Sequence, residues 1–422
     1  MQIFQWLGWF NNLKIEKKWF VVVMLLRPVL EGLFFLKEVS IVLSPLYLLG
    51  IGVPIAVLLS IFTRYKKKAK EVGGVDAFRL FSYFTVISCA LLIVRSGVGI
   101  STIQAVLRVS LIIFIFSYSA RYFLNIRDVE GLLITFLISS LYPLMMMMYE
   151  ILVNPISIEM SRSLERIRGL YADSFNYSIY ITMSTIAVMY FQDKWKWMNY
   201  RIVLPLLVVA VLGLYHLNHI ASWAAFMAIM AVRIASSPRR LIIVFAAALV
   251  FIPILMNQQV DLDVMYDSKL VGKEYEILLG ERPVEQAFHG RMTRWEYYAK
   301  LIDDAAPQVW VLGIFSDLDL YPEVGYVLVA PHNDFLRIFL LSGLLGLTGY
   351  LVFLLSSMKK AWEMPRGPRF LKYSVVVLLM MYSVSAIPSI YPSLISIAIP
   401  VLVAYDFKEG GDSSANDLVL KA

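Results

Sequence analysis

Long apolar runs, separated by short polar segments, extend along most of the chain. The runs are about 15 to 24 residues long, and several are shorter than the roughly 20 residues with which a helix crosses about 30 Å of hydrocarbon. The runs lie at 19–36, 41–62, 80–95, 105–120, 129–149, 176–192, 202–216, 220–235, 241–256, 333–356, 373–388 and 391–405. The pattern therefore predicts an all-α, polytopic membrane protein with about twelve transmembrane helices.

Only one polar stretch is long, at 257–331, and it carries thirteen acidic and six basic side chains. It divides the chain into an interfacial amino-terminal segment with nine spans (1–256), the large loop, three further spans (332–405) and a small polar tail (406–422) that we expect to be disordered. Within the loop, 283–305 has apolar residues three or four positions apart. This spacing predicts an amphipathic helix that lies on the membrane surface.

The first segment of the chain combines aromatic and polar residues. Trp6, Trp9, Phe10 and Trp19 stand among Asn, Gln and Lys residues. Aromatic rings of this kind are typical of the membrane–water interface. We therefore expect an interfacial segment that leads into the first span, and not a cleaved signal peptide.

Basic residues are distributed unequally between the two sides of the predicted membrane. If the amino terminus is cytosolic, 24 Lys and Arg residues fall in cytosolic segments and only 4 in the short outer loops. The inner set is Lys14, Lys17, Lys18, Arg64, Lys66, Lys67, Lys68, Lys70, Arg79, Arg121, Arg127, Lys194, Lys196, Arg201, Arg233, Arg239, Arg240, Lys359, Lys360, Arg366, Arg369, Lys372, Lys408 and Lys421; the outer set is Lys37, Arg162, Arg166 and Arg168. Because basic loops remain in the cytosol, both termini are predicted to be cytosolic and the large loop to lie outside.

Composition supports this class of protein and excludes others. Hydrophobic residues make up 59% of the 422 residues, charged residues 16%, and the mean hydropathy is +0.70, which excludes a soluble enzyme. The net charge of +7 reflects membrane topology, so it does not call for a nucleic-acid partner. One cysteine, Cys89, and four histidines leave little room for a Cys/His metal site.

Four arginines fall within or at the ends of predicted spans, where a basic side chain costs about 2.5–3.5 kcal/mol. Arg27 has Glu31 one helical turn away, which predicts an ion pair inside the bundle. Arg95 stands at the end of a span and is expected to extend outward. Arg108 has no acidic neighbour in its own helix, so a lipid head group and another helix are both candidate partners. Arg337 follows the polar cluster at 331–334.

The histidines stand near the ends of predicted spans or in the large loop. His332 precedes an apolar run, so its imidazole is expected at the outer membrane boundary, where it is suited to take a proton from a hydroxyl. The residues at 331–334 are equally suited simply to begin and cap a helix. His216 and His219 flank a short outer turn, and His289 stands in the loop; ordinary interfacial or solvated positions explain all three.

Two further patterns in the large loop are candidates for binding phosphate or a metal. Arg291 and Arg294, three residues apart on the predicted surface helix, present forked donors suited to phosphate, although Glu296 and Asp303 are alternative ion-pair partners. The Asp-x-Asp triplets at 261–263 and 317–319 have the carboxylates for a divalent cation, but such triplets are frequent in solvated loops. We therefore predict no metal site.

Several motifs resemble one known family. They are RGLYADSFNYSIYI at 168–181, HGRMTRWEYYAKLI at 289–302, VWVLGIF at 309–315 and APHNDFLRIFLLSGLLGLTGY at 330–350. Together they resemble the O-antigen ligase and polymerase superfamily of bacterial envelopes. These proteins are polytopic membrane glycosyltransferases that use polyprenyl-diphosphate-linked glycans.

The resemblance implies a GT-C-like enzyme of lipopolysaccharide biosynthesis in the bacterial inner membrane, with its active site facing the periplasm. It implies that His332 is the general base and that Arg291 contacts the lipid diphosphate. Further candidate substrate contacts are Arg294, Arg168, Arg162, His219, Asn333, Asn176 and Arg337. A glycosyl diphosphate already has a good leaving group, so an imidazole and guanidinium groups suffice without a metal or cofactor, and attack opposite the diphosphate would invert the anomeric centre.

The sequence departs from the family at one position. Many members carry a Ser-Arg pair near the outer start of a central helix, whereas this chain has HLNHIASWAAF at 216–226, with His219 in roughly the place of the arginine. The missing diphosphate contact would then come from Arg168, Arg162 or Arg294, or from a protonated His219.

These observations favour an O-antigen polymerase that joins undecaprenyl-diphosphate-linked repeat units. The alternative within the family is a ligase that transfers the finished polymer to lipid A core, and the rival outside it is a flippase for the same glycan. The expected partners are the lipid-linked donor and acceptor, membrane lipids and a chain-length regulator, with no nucleic acid.

Overall fold

The structure is a computed structural model of the chain. It describes the backbone of residues 3–33, 36, 45–62, 75–123, 125–156, 158–161, 164–171, 173–195, 198–217, 219–236, 276–277, 279–280, 295–296, 298–313, 332–386, 388 and 391–404. The predicted span at 241–256, most of the large loop and the tail lie outside these residues. So do the two Asp-x-Asp triplets and His289.

Apolar helices make up almost all of the described chain. In order they are α1 (Ile3–Asn11), α2 (Ile15–Gly32), α3 (Pro45–Phe62), α4 (Val75–Ser96), α5 (Ile100–Tyr122), α6 (Ile126–Leu152), α7 (Phe175–Gln192), α8 (Tyr200–Leu217), α9 (Ile220–Ala235), α10 (Pro307–Leu312), α11 (Asp334–Trp362), α12 (Arg366–Ser385) and α13 (Pro392–Ala404). Eleven of the twelve predicted apolar runs coincide with one of these helices.

Four helices, α4, α6, α8 and α11, are each long and apolar enough to cross a bilayer. Helices α9 and α13 are apolar but shorter. Helix α7 lies at the centre, because every side chain from Phe175 to Phe191 is buried. A membrane protein with a predominantly helical fold is therefore confirmed, and the number of spans and their orientation remain the predictions made above.

One end of the bundle is held together by ion pairs of basic residues, and we call it the basic end. Lys17 at the start of α2 lies 2.6 Å from Asp128 at the start of α6. Lys194, just after α7, pairs with Glu130 on α6, and Arg233 at the end of α9 pairs with Asp193. The opposite end contains the starts of α7, α9 and α11 and the end of α12, and we call it the His332 end.

A small antiparallel ribbon was not expected from the sequence. Strand β1 (Ile158–Ser161) pairs with β2 (Leu164–Ile167), and Ile158 lies opposite Ile167. The ribbon connects α6 to α7 at the His332 end. A two-stranded ribbon of four-residue strands has little stability of its own, so it depends on contacts with the helices.

The amino-terminal segment forms a helix against the bundle. Trp6 and Trp9 are buried on α6, where their indole nitrogens donate to the Thr135 hydroxyl at 3.0 Å and to Asp128 at 3.1 Å. Phe4 on the other side of α1 is exposed. Trp6 and Trp9 therefore pack on protein, and the location of this segment at the membrane interface stays a prediction.

The described part of the predicted surface helix packs on protein. Tyr298 is buried against Phe339 and Leu340 of α11, and Leu301 and Ile302 pack beside it. These apolar side chains are covered by α11, whereas the sequence predicted that this face would lie on the membrane surface. Amphipathic spacing predicts a buried face without identifying what buries it.

Candidate functional site

The start of α11 is fixed by an asparagine cap. The Asn333 side-chain oxygen accepts a hydrogen bond from the Leu336 backbone N–H at 2.9 Å. Its Nδ2 donates to the Val384 carbonyl near the end of α12 at 3.3 Å. Asn333 therefore performs two tasks, since it caps one helix and ties that helix to a neighbour. The capping role suggested by the sequence is confirmed.

His332 precedes this cap with its side chain exposed and its backbone in a rare conformation. Its φ of 43° is the only positive value among the described residues other than glycine. The left-handed region costs a non-glycine residue about 1–3 kcal/mol, and such residues cluster at functional sites. The cap on the next residue and the attachment to α12 hold this strained position in place.

A buried ion pair lies one turn further along α11. Arg337 Nη1 is 3.8 Å from Asp334 Oδ1, and both side chains are almost completely buried. At this distance the pair contributes electrostatically without a well-formed direct hydrogen bond. A positive group is therefore held in the first turn of the helix that follows His332.

A chain of hydroxyl groups joins α7, α9 and α12 at the same end. The Tyr382 hydroxyl lies 2.5 Å from Ser178 Oγ and 3.0 Å from Thr182 Oγ1. Ser178 donates to Ser222 Oγ at 2.5 Å, and Ser222 lies 2.6 Å from His219 Nδ1. His219 of the α9 start is therefore connected to Tyr382 of α12 through the Ser222 and Ser178 hydroxyls.

The loop before α7 is fixed by an aspartate. Asp173 Oδ1 accepts from the Phe175 backbone N–H at 2.8 Å, and Oδ2 accepts from the Tyr391 hydroxyl at 3.1 Å. Asn176, which the sequence suggested as the start of α7, lies in its first turn, buried, with its amide 3.4 Å from the Asp173 carbonyl. Asp173 lies one residue before the N-cap residue Ser174, and its carboxylate binds one of the free N–H groups at the start of α7.

Tyr171 of the same loop is buried and carries no charge at physiological pH. Its ring lies 5.3 Å from that of Tyr177 and 6.2 Å from that of Tyr180. Burial, together with the nearby Glu31 carboxylate, raises the pKa of the Tyr171 phenol far above its usual value. Tyr171 thus anchors this loop in the protein interior beside α7.

Six of the nine predicted site residues lie in the described part of the chain, all at the His332 end: His332, Asn333, Arg337, His219, Asn176 and Arg168. Asn333, Tyr382 and His219 are linked through α12 and the hydroxyl chain, which places the starts of α9 and α11 around the end of α12. Arg168 lies half-buried in the loop that leads into α7. Arg162, Arg291 and Arg294 lie outside the described residues.

Comparison of the sequence with models of known protein families gives no match, and comparison with curated proteins gives no significant match. The resemblance described above therefore stays a prediction. Among the described residues no group of three or more His, Cys, Asp or Glu side chains is arranged to hold a metal ion.

The structure can be compared with the predictions for the other three arginines within or at the ends of predicted spans. Arg27 Nε lies 2.6 Å from Glu31 Oε1, and both are buried, which confirms the predicted pair. Arg95 is exposed at the end of α4, as predicted. The side chain of Arg108 lies outside what the structure describes.

Sequence reasoning missed the hydroxyl chain and the anchors of the loop. Tyr382 and Ser178 are 204 positions apart, and Tyr391 and Asp173 are 218 apart. Such pairs leave no local motif. One indication was present, because Ser178 and Thr182 stand four residues apart in an apolar run and therefore share one face of a helix.

Proposed function

We propose that the chain transfers a glycan from a polyprenyl diphosphate to an acceptor hydroxyl at the His332 end of the bundle, and that it acts as a polymerase of lipid-linked repeat units. The observation that carries the proposal is the placement of His332. Its imidazole is exposed, and its backbone has a strained, left-handed conformation immediately before the capped start of α11. The buried Arg337 lies one turn further along that helix.

The proposed reaction breaks one carbon–oxygen bond and forms another. The acceptor hydroxyl gives its proton to His332, and its oxygen attacks the anomeric carbon of the donor sugar. The bond from that carbon to the diphosphate breaks, and the diphosphate leaves with the electron pair. The protein has to remove one proton and balance the charge of the leaving group, tasks suited to an imidazole and to guanidinium groups.

The described residues have separate roles in this proposal. His332 takes the proton, and Asn333 holds its backbone against α12. Arg337, beside Asp334, and Arg168, in the loop before α7, are the described guanidinium groups proposed to act at the His332 end. Arg291 and Arg294 are proposed from the resemblance alone as further contacts to the diphosphate.

The substitution His332→Asn tests the base directly. Asparagine tolerates the left-handed conformation, so it removes the imidazole while keeping the backbone, whereas alanine would also change the strain. Loss of a general base lowers turnover by about 10²- to 10⁴-fold. We expect this loss when reconstituted protein is supplied with purified lipid-linked repeat units and glycan growth is measured.

A matched control is His216→Asn at the end of α8, where the histidine is half-buried and its ring contacts Tyr215. This variant should retain wild-type turnover. Full turnover by His332→Asn would remove His332 from the role of base.

The same assay distinguishes the possible activities. A polymerase extends glycan with lipid-linked units alone and releases the diphosphate lipid. A ligase needs added lipid A core as acceptor. If the glycan crosses the membrane and no diphosphate lipid is released, the protein is a transporter and the proposal fails.

A further inference from the structure

Both ends of the β-ribbon segment are bound by one carboxylate oxygen. Glu150 Oε1, near the end of α6, accepts the backbone N–H of Ile156 before the ribbon and that of Gly169 after it, each at 3.1 Å. Glu150 is buried, with 3% of its surface exposed. A carboxylate bound by several N–H groups in a buried place forms strong, well-oriented hydrogen bonds.

The second oxygen of Glu150 fixes this arrangement to α7. Oε2 accepts from the Tyr177 hydroxyl at 2.9 Å. Gly169 has φ of 61°, and a Cβ at this position would lie 2.1 Å from that hydroxyl oxygen, so only glycine fits. The backbone immediately after Arg168 is therefore held on two sides, by Glu150 and by Tyr177.

We infer that Glu150 is a positioning residue: by binding the Ile156 and Gly169 N–H groups it holds the ribbon so that Arg168 contacts the donor diphosphate. The inference rests on the proposed function for the identity of that ligand. We call the hydrogen bonds from the Ile156 and Gly169 N–H groups to Glu150 the clamp. Gly169 directly follows Arg168 in the chain, so a shift of the Gly169 backbone also moves the Arg168 side chain. A displacement of about 1 Å is enough to weaken a positioned contact strongly.

A second carboxylate of α6 allows structural and functional roles to be separated. Glu130 is equally buried, and it accepts from the Tyr190 hydroxyl of α7 at 2.9 Å, as Glu150 does from Tyr177. It lies at the basic end, far along α6 from the ribbon. The two residues therefore resemble each other in burial and in the helices that they join. They differ because Glu150 accepts the Ile156 and Gly169 N–H groups, whereas Glu130 pairs with Lys194.

The experiment compares Glu150→Ala, Glu150→Gln, Glu130→Ala and Arg168→Ala as full-length reconstituted proteins. We expect Glu150→Ala to raise the KM for the lipid-linked donor about tenfold with little change in kcat. Glu150→Gln keeps an amide oxygen that can accept both N–H groups, so its donor KM should stay within about twofold of wild type. Glu130→Ala should lower thermal stability and leave the donor KM unchanged.

Two further measurements test whether Glu150 changes the donor KM through the ribbon and Arg168. Hydrogen exchange of peptides covering 156–169 should increase in Glu150→Ala and not in Glu130→Ala. The double variant Glu150→Ala/Arg168→Ala should have the donor KM of Arg168→Ala alone, because Glu150 acts through Arg168. Additive effects in the double variant, or an equal rise in KM for Glu130→Ala, would overturn the inference.

Failure of the proposed function would be recognised separately. If the wild-type protein transfers no glycan, the reaction proposed above is wrong, and the affinity of the solubilised protein for undecaprenyl diphosphate then tests the clamp. Weaker binding by Glu150→Ala together with faster exchange at 156–169 supports it. Faster hydrogen exchange at 156–169 with unchanged affinity for undecaprenyl diphosphate refutes the positioning role of Glu150.

Discussion

Several buried charges in the described bundle lie beside a group of opposite charge, and the Arg27–Glu31 pair is the clearest case. Arg27 Nε lies 2.6 Å from Glu31 Oε1, and Glu31 Oε2 accepts from the Tyr180 hydroxyl at 2.9 Å. Removal of one member of such a pair leaves a charge that neither lipid nor protein can solvate. Replacement of both by neutral groups of similar shape is far less harmful.

This difference predicts the relative stability of two variants. Glu31→Ala should lower the free energy of unfolding by about 3–5 kcal/mol, because Arg27 stays buried without its carboxylate. The double variant Arg27→Met/Glu31→Gln should be less destabilised, since the glutamine oxygen still accepts from Tyr180. Thermal unfolding in detergent measures both. A double variant that is less stable than Glu31→Ala would contradict this account of the pair.

Local spacing explains which buried contacts could be predicted. The Arg27–Glu31 pair and the Asn333 cap involve residues within four positions of each other, so the sequence was sufficient. The hydroxyl chain and the Glu150 clamp join separate helices, and nothing near either partner indicates the other. The left-handed backbone of His332 was equally invisible, because histidine carries no preference strong enough to predict it.

Among the helices, α11 has an unusual course. Its helical backbone is interrupted by a kink at Gly343, where φ is 67° and ψ is −175°. A Cβ there would lie 1.9 Å from the Val311 carbonyl oxygen of α10, so this glycine allows the backbone of that short helix, which belongs to the large loop, to approach closely. Ser88 of α4 donates to the Leu312 carbonyl and holds α10 from the other side.

This close contact predicts that alanine substitutions at Gly343 and Gly52 differ strongly in their effect on stability. Gly343→Ala should destabilise the protein and lower glycan transfer, since a backbone atom cannot move away and the positive φ adds strain. Gly52→Ala in α3, where no atom lies within 4 Å, should be neutral or slightly stabilising. Unfolding temperature and transfer rate measure the two effects. Wild-type behaviour of Gly343→Ala would show that α10 does not require this close approach.

The apolar runs predicted which segments are helical, but they did not predict the kink within α11 or the ribbon between α6 and α7. Run length located eleven helices, because a span must satisfy its own backbone in hydrocarbon. It gave no sign of the kink at Gly343, which depends on α10, or of the β-ribbon. Both arise from contacts between distant segments, and the hydrophobic pattern of one segment carries no information about its partner.

Across the whole molecule, charge differs between the two ends. The described basic end includes Lys14, Lys17, Lys18, Arg79, Arg121, Arg127, Lys194, Arg201, Arg233, Lys359, Lys360, Arg366, Arg369 and Lys372. The described arginines of the His332 end are fewer, and they include Arg27 and Arg337 beside buried carboxylates. Because positive loops stay on the cytosolic side, this asymmetry favours an outward-facing His332 end.

Labelling of single cysteines tests this orientation, and the chain is suited to it because it contains one cysteine. Cys89 is buried, with its sulfur 3.8 Å from the Ser110 hydroxyl, so Cys89→Ser should be tolerated and gives a cysteine-free background. In that background, Asn154→Cys marks the His332 end and Glu363→Cys the basic end, both at exposed positions.

A membrane-impermeant maleimide applied to intact spheroplasts should label Asn154→Cys at once and Glu363→Cys only after the membrane is permeabilised. The expectation follows from the cost of translocating the clustered Lys and Arg residues, which is avoided only if the basic end stays inside. The reverse pattern would place His332 in the cytosol. Glycan transfer at that end would then need a donor on the cytosolic leaflet, and the proposed polymerisation on the outer face would be refuted together with the topology.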